Sequence, residues 1–176
     1  NLETIRQIKG VCDDLHRNNG QKALQIAEDV QRVTLHLGIR EMAWGYMLLG
    51  NACVHNAQMP RAVAAYQQAE RHFLQCGQPV EMARMQIGYM GALTYCGRFE
   101  KAIEVAQSAE PILRQSVAAF PEDLSRLSLI INNLGITYDW LGQYEESLAA
   151  YDRAFALISA DNVYQQGQIQ HNRARM

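Results

Sequence analysis

Between its turn signals the chain runs in long segments rich in Ala, Leu, Gln, Glu, Met and Arg. None of them alternates apolar and polar positions with the β-branched residues that a strand requires, so the pattern predicts an all-α protein. Breaks fall near Asn18-Asn19-Gly20, Gly38, Asn56 to Pro60, Gly77-Gln78-Pro79, Gly97, Phe120-Pro121, Gly142 and Ala160-Asp161-Asn162. They delimit about nine helices, joined by loops short enough to make neighbours antiparallel.

The helices repeat. Gly50 stands 12 residues before Ala62, 16 before Tyr66 and 19 before Ala69, and Gly135 stands at the same offsets from Ser147, Tyr151 and Ala154. Leu93, Gly97-Arg98-Phe99, Ala102, Ala106 and Ala109 give a third copy, and Asn18-Asn19-Gly20, Ala23, Ala27 and Val30 a fainter first one. Copies begin near Thr4, Ala43, Ala83, Ser128 and Gly167, in an almost even register that only the longer third copy interrupts. The chain divides into copies near 4–42, 43–82, 83–127 and 128–166 and a partial copy at 167–176. A fixed period of this size is the mark of a stacked helical array.

These residues resemble the tetratricopeptide repeat (TPR) family, in which small residues mark the crossing of two helices and large ones fill the gaps. Gly50 and Gly135 match the small position of the first helix, and Ala23, Ala62 and Ala102 that of the second. Tyr66 and Tyr151 match the aromatic position, and Ala69, Ala109 and Ala154 the closing small one. Met90 at the glycine position of copy three and Val11 in copy one depart from the pattern. The resemblance implies a right-handed α-solenoid of antiparallel helix pairs. The period of about 40 residues implies longer second helices and is similar to TPR arrays in large signalling and regulatory proteins. Pro60 falls in a first helical turn, where its missing N–H costs nothing. Pro121 opens the next helix, and Pro111, inside a helical pattern, predicts a kink or an early end.

The resemblance also implies a groove lined by the first helices, with ligand-facing positions at the second, fifth, ninth, twelfth and thirteenth residues of each copy. These are Ile5, Ile8, Cys12, Leu15 and His16, then Trp44, Met47, Asn51, Val54 and His55. Copy three supplies Arg84, Ile87, Gly91, Thr94 and Tyr95; copy four supplies Leu129, Asn132, Ile136, Asp139 and Trp140; the last supplies Gln168, His171 and Arg175. Aromatic and amide side chains in a helical groove suit a peptide or a partner helix. Trp44 and Trp140 fit packing between helices equally well, while Asn133 and Asn172 read as structural amides that bond loop backbone. A Lys/Arg/Asn carboxylate clamp is matched only at Asn51.

Catalytic constellations do not emerge. The chain contains no GxxxxGK[ST], GxGxxG, HExxH or GxSxG motif, and its carboxylates are scattered on helix surfaces. Glu122 and Asp123, just after Pro121, read as solvated or helix-capping. His16, His36, His55, His72 and His171 never pair at i, i+4, so no metal site is expected. Cys12, Cys53, Cys76 and Cys96 are widely separated along the chain, which fits neither a metal pattern nor a dense disulfide framework. Cys53 reads as a small core residue, and Cys76 beside Gly77 as a turn residue.

Sixteen Lys and Arg against eighteen Asp and Glu give a formal charge of −2, which argues against nucleic acid or a membrane surface as a direct partner. A reduced, cytoplasmic setting is expected, with no cofactor and no enzymatic activity. The chain opens without Met, so it reads as an excerpt of a longer protein. Two functions follow as expectations: a non-catalytic protein- or peptide-binding scaffold, or the sensor array of a larger protein. For the second, the copies look like arrays attached to CHAT-type peptidases or to NTPase-switch transcriptional regulators. Uncapped end repeats also predict self-association.

Overall fold

The computed structural model describes residues 2–15 and 19–175; His16 and Asn18, read above as groove and turn residues, lie outside them. Among the described residues the chain forms nine α-helices and no strand. They are α1 (Leu2–Leu15), α2 (Gly20–Thr34), α3 (Ile39–His55), α4 (Met59–Gln75), α5 (Pro79–Tyr95), α6 (Phe99–Ser116), α7 (Asp123–Trp140), α8 (Tyr144–Ala156) and α9 (Val163–Ala174). Each helix packs on its neighbours in the chain, and α1, α3, α5 and α7 also pack on one another in succession. The result is a right-handed solenoid of antiparallel helix pairs.

The repeat residues do in space what their spacing implies. Ala23, Ala62, Ala102 and Ser147, the small positions of the second helices, are wholly buried. At one crossing the Ser147 hydroxyl donates to the Gly135 carbonyl at 2.8 Å. A Cβ on Gly50 would lie 2.6 Å from the Tyr66 ring, and one on Gly135 would lie 2.7 Å from the Tyr151 ring. Each tyrosine therefore occupies the volume its glycine leaves empty. Copy three carries the bulk on the other helix: Met90 takes the glycine position and Ala106 the tyrosine position, and both are buried. Exchanging large for small across one contact conserves volume, which cores tolerate well.

Four of the turns share one geometry. Ala57, Gly77, Gly97 and Gly142 each adopt a positive φ, between 57° and 73°. The next residue's N–H then reaches back to the carbonyl five positions earlier: Gln58 to Cys53, Gln78 to Phe73, Arg98 to Leu93 and Gln143 to Tyr138, at 2.9 to 3.0 Å. This satisfies an otherwise orphaned helix carbonyl and tightens the chain reversal. Ala57 alone makes the turn without glycine.

Two proline readings change. α6 continues through Pro111 to Ser116 instead of ending there; Pro111 is exposed, so the carbonyl it leaves without a helical partner can face water. Pro121 lies two positions ahead of α7, in a loop spanning 117–122 that accounts for much of the extra length of copy three. The extra period is not confined to second helices either: α3, α5 and α7 have 17, 17 and 18 residues, beside 17, 18 and 13 in α4, α6 and α8.

Gly135→Leu forces a side chain into the Tyr151 ring and is expected to cost at least about 2–3 kcal/mol, lowering Tm by about 5–10 °C in a thermal melt. Ala57→Gly relieves the left-handed strain of a Cβ and is expected to raise stability by about 1 kcal/mol, or about 2–4 °C.

Candidate functional site

Because α1, α3, α5, α7 and α9 are the first helices of successive pairs, their shared face is one continuous strip. Its N-terminal part is a cavity of about 720 Å³, within the range of small-ligand and peptide pockets. Trp44, Met47, Asn51, Val54 and His55 of α3 line it with Arg84, Met85, Ile87 and Gly88 of α5. Arg6 and Lys9 of α1 and Phe120, Glu122 and Arg126 close its rim. A second cavity of about 670 Å³ lies between α7 and α9 and is lined mainly by amides and apolar groups, among them Asn132, Asn133, Tyr164, Gln168, His171 and Asn172. A smaller pocket at Gly91, Thr94, Tyr95, Asn133, Ile136 and Trp140 joins the two. It shares Asn133 and Ile136 with the second cavity, and Gly91 lies one helical turn beyond Gly88 of the first.

The floor of the first cavity is set by Tyr66. Its ring passes between Gly50 of α3 and Gly88 of α5, where a Cβ on either glycine would strike it. Its hydroxyl donates to Asn51 Oδ1 at 2.7 Å. Burial pushes this hydroxyl far above its ordinary pKa, so it stays protonated and remains a donor. With its oxygen engaged, the Asn51 amide is oriented and its NH2 group is left to bond what enters the cavity.

The rim is held by a second device. Asp123 is completely buried and accepts both Nε (2.9 Å) and a terminal nitrogen (2.8 Å) of Arg84. Ser116 donates to it at 2.6 Å and Arg126 at 2.7 Å. Arg84 also bonds Glu81 at 3.0 Å and lies 4.7 Å from the Phe120 ring centre. Burial alone would raise the Asp123 pKa; the bonds from Arg84, Ser116 and Arg126 outweigh it and hold the carboxyl below its ordinary range. The 117–122 loop is thereby clamped against α5, and Phe120 is delivered to the cavity.

This corrects two expectations. Asp123 is not solvated; it is the buried hub of the cluster, while Glu122 is exposed as expected. Arg84 lines the cavity, but its guanidinium is committed to Asp123 and Glu81.

The expected residues of α3, α5, α7 and α9 line the cavities, though not all are accessible, whereas none of Ile5, Ile8, Cys12 and Leu15 of α1 borders them. Trp44, Met47, Thr94 and Asn132 are buried. Trp44 stacks edge-on with Phe73 at 6.2 Å and carries the Arg6 guanidinium at 5.2 Å. Thr94 shares a hydrogen bond with Thr137 at 2.8 Å, and Asn132 accepts from Asn172 at 3.1 Å. Asn51 and Asp139 are half-buried; His55, Tyr95, Trp140 and His171 are exposed. Asn133 is structural, as expected, but its amide donates to the Ile87 carbonyl within α5 at 3.1 Å instead of to a loop. Ile5 and Cys12, also placed in the groove by position, are buried.

The sequence reading missed Arg6, Lys9, Phe120, Arg126 and the Tyr66 hydroxyl. Phe120 and Arg126 belong to the segment that breaks the period, where no equivalent position exists to point at them. Tyr66 carries a polar atom on a side chain identified only as filler. Among the described residues no group of three or more His, Cys, Asp or Glu side chains is placed to hold a metal ion, and no helix is long and apolar enough to cross a membrane.

No protein-family model matches the chain, and no curated protein matches it in sequence. Solved structures do resemble it. BtubC (BKLC) from P. vanneervenii superposes with a TM-score of 0.79 over 97% of this chain and 70% of its own, at 16% identity. The nearly identical TPR-like repeats of a candidate kinesin light chain from Podosopora anserina give 0.75 over 98% of this chain and 84% of their own, at 17% identity. A MamA RS-1 double mutant gives 0.62 over 98% and 83%, at 18% identity. The fold is therefore that of TPR-like repeat proteins.

Asp123→Asn leaves Arg84 and Arg126 short of a buried counter-charge and is expected to cost about 3 kcal/mol, or about 10 °C in Tm. Because folding lowers the Asp123 pKa, its contribution is present in full above the ordinary value of 3.8 and is lost as pH falls below it. Chemical denaturation from pH 7 to pH 3 should show this acid loss in the wild type and a shallower one in Asp123→Asn.

Proposed function

We propose that this chain is a non-catalytic docking module whose groove holds a peptide or an extended segment of a partner protein. The observation that carries the reading is the continuity of the groove. Three adjoining pockets run along the first helices from α1 to α9, and side chains beneath them are fixed by internal bonds such as Tyr66 to Asn51. A surface so pre-organised loses little entropy when an extended chain settles on it. The TPR-like fold of the structural neighbours supports an interaction role in general.

The two halves of the groove differ in character. The half around the first cavity carries Arg6, Lys9, Arg84 and Arg126 with Glu81 and Glu122; the half between α7 and α9 offers amides, His171 and apolar groups. A segment lying along both meets charge at one end and neutral hydrogen-bonding groups at the other, which gives the docking a direction.

Selection of random 12-residue peptides on the immobilised chain tests the reading. Selected peptides are expected to bind in the micromolar range and to lose about tenfold or more in affinity on Phe120→Ala or His171→Ala, with Tm within about 3 °C of wild type. Failure to select any peptide, or peptides indifferent to both substitutions, overturns it.

A further inference from the structure

The narrow pocket between the two halves is made by one i, i+4 pair from each of two helices: Gly91 and Tyr95 of α5, and Ile136 and Trp140 of α7. It encloses about 140 Å³. Tyr95 is 65% exposed and Trp140 57%, and the Phe99 ring lies 6.4 Å from that of Trp140.

Gly91 differs from the glycines that pack. A Cβ on Gly45, Gly50, Gly88 or Gly135 would run into a neighbouring side chain, whereas a Cβ on Gly91 meets nothing. A glycine within a helix weakens it, and at Gly91 no close approach of another element compensates. The space above it is the slot itself.

The chemistry of the slot narrows its occupant. Thr94 is bonded to Thr137, and the Asn133 amide nitrogen to the Ile87 carbonyl; no charged side chain lines the slot. Trp140 also borders an adjoining pocket that contains Asp139 and Arg175. Among the described residues Asp139 forms no ion pair, and Arg175 stays outside ion-pair distance of it. At the other end of the groove a comparable aromatic face is satisfied from within, where Arg6 lies over Trp44. Trp140 has the ring and the neighbouring carboxylate; among the described residues no cation lies over it.

We propose that the Tyr95–Trp140 slot receives a lysine or arginine side chain of the docked segment, its stem in the slot and its charged end over the Trp140 ring, with Asp139 of the adjoining pocket as its counter-ion. Aromatic rings attract cations through the negative charge on their faces, and a nearby carboxylate adds to that pull. The inference rests on the groove reading above and assigns one subsite within it.

The two tryptophans of the chain give separate indole N–H signals for an NMR titration. The probes are Ac-Gly-Arg-Gly-NH2 and its norleucine counterpart, each taken to about 100 mM, a range suited to a single cation–π contact. The arginine peptide is expected to shift the Trp140 signal saturably and leave the buried Trp44 signal unmoved, while the norleucine peptide has at most a weak effect. Asp139→Asn should weaken binding about threefold or more, and Gly91→Leu, whose Cβ meets no neighbour and whose side chain extends into the slot, should abolish it. An equal response to norleucine, an unchanged response in Gly91→Leu, or no shift of Trp140 overturns the proposal. Peptides selected on the groove that bind Gly91→Leu and Asp139→Asn as they bind wild type would sink the slot and leave the groove reading intact. A Trp140 shift with no selectable peptide would do the reverse.

Discussion

The structure depends on a steric match between glycine and tyrosine. At the crossing position a second-helix tyrosine ring fits only where the first helix offers no Cβ, and Gly50–Tyr66 and Gly135–Tyr151 meet that condition with the same geometry in copies two and four. Once the ring is seated, the two helix axes are held close and their remaining apolar faces need a further helix pair to cover them. The first-helix strip that forms the groove is a by-product of that stacking.

The same contact links packing to chemistry. Tyr66 is buried, yet its hydroxyl donates to Asn51 and orients an amide at the floor of the first cavity. Gly88, on the next first helix, is required by the same ring. One side chain thus fixes the spacing of α3, α4 and α5 and the direction of a groove donor. That double duty explains why a residue recognised as filler also bears on the site.

Architecture was legible because it is periodic. The matching offsets from Gly50 and Gly135 to their partners report contacts that recur, and the turns repeat one hydrogen-bonding scheme. What the period cannot encode is what happens once. The 117–122 loop, the burial of Asp123 and the commitment of Arg84 belong to a single copy, and a carboxylate after a proline looks like a cap until Arg84, a full repeat earlier in the chain, is placed against it. Groove membership was legible from helical position, but accessibility was not: Trp44 and Asn132 line cavities while staying buried, because Phe73 and Asn172 cover them from neighbouring elements. Copy three shows a further limit, since Met90 at the glycine position and Ala106 at the tyrosine position mask the motif while both stay buried.

The seams between successive first helices on the C-terminal side are polar. Thr94 meets Thr137, Ser125 meets Gln165 and Asn132 meets Asn172, whereas within pairs the contacts are largely apolar and interlocked. Thr94, Thr137, Asn132 and Gln165 are buried at these seams, and a buried polar group that loses its partner carries the full cost of its desolvation. Interlocked cores fix the spacing within each pair, and these directional bonds fix the register of one pair against the next. Lengthwise slippage between pairs in the amide half would have to break them together, so that half keeps its phase with the rings seated in their glycine notches.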